Sequence, residues 1–576
     1  MKHKYHLAIV LFWGFLLVSC ASQKAQKKVV DDVGSLNSLA DSYMASMLNM
    51  TQPFSYFSDL KVEHHDKFID NSPQSLLKVQ KLEDEILLSL LQMDSNQWTD
   101  ERQKVFYAKF LEALETSVQM RVCKSELWNI SHMFGSHFLL DFLINVQPVS
   151  NAIERTDAIA RWSEVAIYYQ QEVKNLKQGL QQGYSAPKRV VNRVIKQLNA
   201  LISIKIDEHP YLALAKRAKD EKFLKEFKTI IANTVLPAMK NYTDFLQNDY
   251  LPKAREELGI RVLPQGRECY IAQYRSNTSL KRTPEQVFEL GLKTVNANKA
   301  KVIELGKKLY GVNSFAEAVK KANEDESQKF ESAEAMHDFF VKVVARAKSA
   351  MPEYFLTMPT IEMEVEAIPL YQQNTGRSAH YVLGGDKRNA KFGYDPTTFT
   401  SENFGTAEIV SLHEGYPGHH MQIALVQNQQ VFHPLELTFS NSAYAEGWAR
   451  YAESLSEEAG LYHSKSAKIL RRAWPARGMV ADAGLHMMGW SNEKVAQFLK
   501  ESGASFANDT DKMLDRMAAM PAQLTSYDSG ALEIFALRQH MEKQQGVDFD
   551  IKQFHQLILK NGNVPMSLLR NQVITE

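Results

Sequence analysis

Apolar residues recurring at steps of three and four constrain the fold of this chain more than any other feature. Ile159, Trp162, Ala166, Tyr169, Val173, Leu176 and Leu180 form one stripe, which predicts a long helix with a single buried face. Gly183 and Pro187 stop it, and Val191, Val194, Leu198 and Leu201 begin another. Thr283-Pro284-Glu285-Gln286 predicts a helix start. Thr caps, Pro suits the first turn, and Gln at the third position reaches back to the cap. Ser314 to Glu317 repeats the capping pattern, and Ser491 before Asn492-Glu493 predicts a further start.

Strand signals are few. Ile361, Met363, Val365 and Ala367 alternate with Glu362, Glu364 and Glu366, a period of two that fits a strand with one wet face. Pro369 ends it, and Tyr371 to Thr400 reads as a hairpin or long loop. The expectation is a mostly α, two-lobed helical protein with a small β-sheet in its C-terminal half. The chain has 576 residues, more than one hydrophobic core ordinarily serves. Pro252, Gly259 and Pro264 interrupt the helical pattern, so the expected lobes are 36–255 and 256–576.

The first residues carry an address. Met-Lys-His-Lys precedes an apolar stretch from Leu7 to Val18, which ends Leu17-Val18-Ser19-Cys20. A positive start and an apolar run too short to span predict a signal peptide over 1–19. Leu-Val-Ser-Cys resembles a bacterial lipobox. That resemblance implies lipidation of Cys20, a tether over 20–35, and a soluble body held on a membrane surface. Ala21, in place of Asp, implies the outer membrane, facing the periplasm. The two remaining cysteines, Cys123 and Cys269, read as structural, either paired in an oxidising compartment or buried as thiols. Equal numbers of basic and acidic residues, 67 of each, exclude nucleic-acid binding by massed phosphate neutralisation.

The densest cluster of metal-ligand residue types is Leu412-His413-Glu414-Gly415-Tyr416-Pro417-Gly418-His419-His420. Zinc hydrolases bind the ion with two imidazoles, and a Glu takes a proton from the metal-bound water. The usual spacing, His-Glu-x-x-His, is absent. On a straight helix His413 would stand roughly 9–10.5 Å along the axis from His419 or His420, too far for nitrogens that share one ion. Pro417 removes a ladder donor and Gly418 admits unusual angles, so the helix can break there. Two looped-out residues would bring His419 to the place of the second ligand, with His420 as the other candidate. A third ligand is expected from Glu446, a carboxylate in the uncharged stretch Asn441 to Ala449, where it is costly unless paired or metal-bound. Glu453, two turns on, reads as a ligand-orienting carboxylate or a solvated helix residue.

His-Glu-Gly-Tyr-Pro-Gly-His-His-Met-Gln with the later Glu-Gly-Trp-Ala-Arg-Tyr resembles the DUF885 family of bacterial proteins, which are similar to helical zinc metallopeptidases of the thimet-oligopeptidase and Taq-carboxypeptidase kind. The resemblance continues through Asp482 to Trp490 and Pro521 to Gly530, with Leu537-Arg538 following. It extends more diffusely over Arg121 to Gly135. It implies a metallopeptidase-like fold, one Zn2+ per chain on His413, His419 and Glu446, and Glu414 as general base. Tyr527, with His486 second, is the expected hydrogen-bond donor to the tetrahedral oxyanion. Asp482 is expected to orient His486 or to form an ordinary helix pair. Arg538 is expected to meet a substrate carboxylate or to form a structural ion pair. Trp474-Pro475 interrupts the helix where the family carries an arginine, so Arg472 and Arg477 are given no role. The expected function is zinc-dependent hydrolysis of extracytoplasmic peptides by a membrane-anchored peptidase, with the Ile361 to Ala367 strand holding peptide by its edge or simply packing. The alternatives are a non-catalytic envelope lipoprotein that binds peptides or partners, and a zinc amidase acting on non-peptide or cell-wall amides.

Overall fold

A computed structural model describes residues 32–50, 56, 62, 65–369, 373, 379–384, 388–427, 429–504 and 509–574. The expected signal segment and Cys20 lie outside these residues. Helix Asp32–Met50 begins inside the last residues of the expected tether and buries Leu36. Among the described residues no helix is long and apolar enough to cross a membrane.

The protein is mostly helical, as the apolar spacing requires. The stripe from Ile159 to Leu180 is shared by two helices rather than one, Ala152–Ser163 and Val165–Gln181. Asn151 starts the first with a capping box through Glu154, a local signal upstream of the stripe. Gly183 ends the second at φ +83°. Lys188–Ile202 is the next helix, with Val191, Val194 and Leu198 buried. Thr283 and Gln286 form the expected capping box, and Ser314 and Ser491 cap as expected.

The elements that frame the site are numbered here in chain order. Helix α1 spans Pro284–Tyr310 and α2 Ala333–Ala350. Strands β1 (Met363–Ala367), β2 (His380–Val382) and β3 (Ala390–Tyr394) form a sheet in the order β1-β3-β2. β1 pairs parallel to β3, with Val365 opposite Phe392, and β2 pairs antiparallel, with Tyr381 opposite Phe392. Phe392 and Tyr394 pack on Phe340 of α2. Then follow α3 (Phe404–Glu414), α4 (His419–Ala424), α5 (Ser442–Glu458), α6 (Arg477–His486), α7 (Thr510–Ala519) and α8 (Ser526–Gln545).

Two apolar clusters carry most of the buried interior. One joins Trp162, Tyr169, Phe227 and Tyr242 to Trp474, Leu499, Met513 and Met517. The other joins Tyr270, Val295 and Leu412 to Trp448, Ile534 and Phe554. The segment after Ala473 thus closes onto residues before 255, and the core does not divide at the expected lobe boundary. Cys123 and Cys269, left open between pairing and free thiols, form a disulfide across a sequence separation of 146.

α5 and α8 lie against one another at unusually close range. A Cβ on Gly530 would stand 1.8 Å from the Ala443 carbonyl oxygen, and one on Gly447 would stand 2.6 Å from Gly530 Cα. Only glycine fits at either position. This crossing sets the helix of Glu446 beside the helix of Tyr527.

Candidate metal centre and its cleft

Asn403 caps α3 by accepting from the Thr406 N–H at 2.9 Å, and α3 ends at His413-Glu414. Gly415 follows, the Tyr416-Pro417 peptide is cis, and α4 opens at His419. The loop is pinned on both sides. Gly418 N–H donates to the Leu412 carbonyl at 3.1 Å, and Trp448 Nε1 donates to the Pro417 carbonyl at 2.9 Å. A Cβ on Gly418 would lie 1.8 Å from the His413 carbonyl oxygen, so no other residue closes this turn. The chain between the histidines doubles back, and their rings meet edge to face with centroids 4.9 Å apart.

Glu446 of α5 completes the cluster. Its Oε2 lies 3.6 Å from His413 Nε2 and 3.5 Å from His419 Nε2. One ligand atom from each of the three residues falls within 4.8 Å of the others. These separations exceed good hydrogen bonds. They approach the edge of about 3.3–3.4 Å expected for tetrahedral ligands about 2 Å from one centre. His413 Nδ1 pairs with Glu453 Oε1 at 2.9 Å, which turns Nε2 toward Glu446. Arg450 donates to both oxygens of Glu453 at 2.8 and 3.0 Å. Burial alone would lower the His413 pKa, but Glu446, Glu453 and Glu414 together raise it to about 10. Burial would raise Glu446, yet His413 and His419 hold its carboxyl well below the usual range. Such concentrated negative charge around two imidazoles suits a divalent cation, and the donor set of two His and one Glu fits zinc.

The cluster lines a cleft of about 690 Å³, which Glu414, Tyr527, Arg450 and Arg516 also line. Tyr527 accepts from Arg516 Nη2 at 3.3 Å. Its ring centroid lies 5.9 Å from the Arg450 guanidinium and 6.0 Å from that of Arg516. Burial and the Glu446 charge raise its pKa against the opposing charge of Arg516, so the phenol keeps its proton.

Other expected residues lie elsewhere. His420 is fully buried and bridges the Tyr416 and Tyr381 hydroxyls at 3.0 and 3.1 Å. Both its nitrogens are thereby used, and it ties β2 to the helix break. His486 is also fully buried. Its Nδ1 accepts from the Ile260 N–H at 3.2 Å, and its Nε2 faces the Met517 carbonyl at 3.1 Å. Burial lowers its pKa to about 3. It is a neutral strut between segments, without a nitrogen for substrate. Asp482 does not orient it, since its Oδ1 accepts from the Tyr270 hydroxyl and the Ala522 N–H at 2.8 and 2.9 Å. Burial raises the Asp482 pKa to about 7. Arg538 forms ion pairs with Glu458 and Glu542 at 2.9 and 2.8 Å, the structural alternative of the two expected, and it is not among the residues lining the cleft. The strand beside the cleft is β2, through His380 and Tyr381, rather than β1.

Arg450, Arg516 and Tyr381 were not singled out from sequence. Arg450 had a legible signal, its place one turn before Glu453.

A family model described as "Bacterial protein of unknown function (DUF885)" matches residues 56–573. A crystal structure described as a "putative lipoprotein" from Colwellia psychrerythraea superposes with a TM-score of 0.84 at 20% identity, covering 95% of this chain and 99% of that one. Another solved structure, described as a "putative lipoprotein of unknown function" from Shewanella oneidensis, gives a TM-score of 0.78 at 17% identity and covers 93% of this chain and 99% of that one. No curated protein matches the chain in sequence.

Proposed function

We propose that this chain, which belongs to the DUF885 family, is a zinc-dependent peptidase of the bacterial envelope, held on a membrane through Cys20. The observation that carries this reading is the convergence of His413, His419 and Glu446 across the Pro417-Gly418 break, with Glu414 on the wall of the same cleft. The Leu-Val-Ser-Cys segment and the lipoprotein descriptions of two structural relatives support the anchoring.

Zinc on the three donors would supply the Lewis acidity that activates water and polarises an amide carbonyl. Glu414 takes the proton of the attacking water and delivers it to the leaving amine. Tyr527 accepts from Arg516 and lines the cleft, where its own hydrogen can turn to the oxygen of the tetrahedral intermediate. Glu453, clamped by Arg450, holds the His413 ring in the tautomer that leaves Nε2 available to the ion. The outer edge of β2 offers backbone groups along the cleft to an extended peptide.

Metal analysis should find about one zinc per chain. Glu414→Gln should retain that zinc and lose peptide cleavage by about 100-fold or more, since it removes general-base catalysis. Cleavage at the wild-type rate in that variant would refute the role of Glu414. Zinc-loaded protein that turns over no member of a broad peptide library would refute the peptidase reading and favour a binding protein. Turnover of cell-wall amides alone would redirect the same chemistry to another substrate.

A further inference from the structure

Three arginines line the cleft, and two are neutralised. Arg450 is paired with Glu453, and Arg471 donates from Nε to Glu457 at 2.9 Å. Arg516 differs. Its Nη2 donates to Gln523 Oε1 at 2.7 Å and to the Tyr527 hydroxyl at 3.3 Å, both neutral acceptors. Among the described residues Nη1 and Nε have no hydrogen-bond partner, and no carboxylate lies within ion-pair distance. The nearest acidic groups form no ion pair with it: Asp515 pairs with Arg189 and Arg193, and Asp482 turns Oδ1 to Tyr270 and Ala522, its charge and that of Arg516 acting on one another from beyond ion-pair distance.

A half-buried guanidinium gains most from a planar, bidentate anion. Gln523 and Tyr527 hold Arg516 by one nitrogen, which fixes the plane of the fork while leaving two donors for a ligand. Through Tyr527, Arg516 also stands next to the proposed site of bond cleavage.

We infer that Arg516 is the carboxylate receptor of the cleft and selects substrates bearing a carboxylate close to the hydrolysed bond. This rests on the peptidase reading above. The carboxylate has two possible sources, the free C-terminus of the peptide or an acidic side chain. The first makes the protein a carboxypeptidase, the second a peptidase selective for acidic residues.

The test uses zinc-loaded wild type and Arg516→Gln with fluorophore-labelled alanine pentapeptides. One pair differs only in a C-terminal carboxylate or amide, and further pairs carry Glu or Gln at each interior position. Wild type should favour one carboxylate-bearing member. Arg516→Gln should lower kcat/KM for that member by about 10- to 100-fold more than for its neutral partner. The pair that responds identifies the source. An equal loss on charged and neutral members would overturn the inference and assign Arg516 to bracing Tyr527, as would a carboxylate preference that survives the substitution. Zinc content and Tm of the variant separate either result from misfolding. Peptide binding, read by fluorescence anisotropy, keeps the two proposals apart. If wild type cleaves nothing, the peptidase reading fails, while carboxylate-dependent binding lost in Arg516→Gln still upholds the receptor and its absence overturns it.

Discussion

Glu453 connects the candidate metal cluster to the rest of the molecule. It is almost fully buried, accepts two hydrogen bonds from Arg450, and faces His413 Nδ1. Its charge therefore bears directly on the His413 imidazole, and would bear on any ion bound there. Glu453→Gln retains an acceptor for Nδ1–H while removing that charge. Zinc affinity, measured by chelator competition, should fall by about 10- to 100-fold with the fold intact; unchanged affinity would show that the carboxylate does not tune His413. Residues of this kind divide sharply in what a sequence reveals. His413, Glu414, His419 and Glu446 were legible because they are rare residue types in apolar stretches, next to a Pro-Gly step that can bring them together. The surroundings of His486 and Arg538 were not. His486 is held by the backbone of Ile260 and Met517, and Arg538 meets Glu458 eighty positions earlier. Arg516 stayed hidden because its helix reads as an ordinary amphipathic one, and only the fold shows that among the described residues no acid forms an ion pair with it.

At the scale of elements, the site depends on how closely α5 and α8 approach. Gly447 follows Glu446, and Gly530 lies three residues after Tyr527, so the contact of the two glycines fixes the helix of Glu446 against the helix carrying the expected oxyanion donor. Gly447→Ala would push a methyl into Gly530. The expected cost is about 1–3 kcal/mol of stability, by overpacking, seen as a lower Tm in calorimetry. Activity should fall beyond what the lost folded fraction explains, because Glu446 and Tyr527 separate. A variant with wild-type Tm would show that the helices can part without penalty. Helix starts were legible at Thr283, Ser314 and Ser491 because capping is decided within one turn. The break between Ser163 and Val165 fell inside an unbroken apolar stripe and left no comparable mark. The same limit applies to the sheet. Alternation identified β1, but the strand beside the cleft is the three-residue β2, too short for any period to show.

At the scale of the whole molecule, the covalent link between Cys123 and Cys269, both buried in the second apolar cluster, joins positions 146 apart in sequence. Cross-linking so long a loop is expected to contribute about 2–5 kcal/mol. Cys123→Ala combined with Cys269→Ala should therefore lower Tm in non-reducing buffer, and reductant should lower wild type toward the same value without affecting the double variant. An unchanged Tm would mean that the link is energetically idle. Helix content was readable across this length from local periodicity. The division into lobes was not, because Trp474, Met513 and Met517 fill a cluster begun by Trp162 and Tyr169, and nothing local announces a partner three hundred residues away.

That late return has a consequence for synthesis. A nascent chain that has emerged only as far as Ala473 already carries His413, His419 and Glu446, yet Tyr527, Arg516 and one side of the first cluster, from Trp474 to Leu524, are still to come. A complete cleft is thus withheld by the order of the text itself: its floor is laid early, and its far wall is the last part delivered.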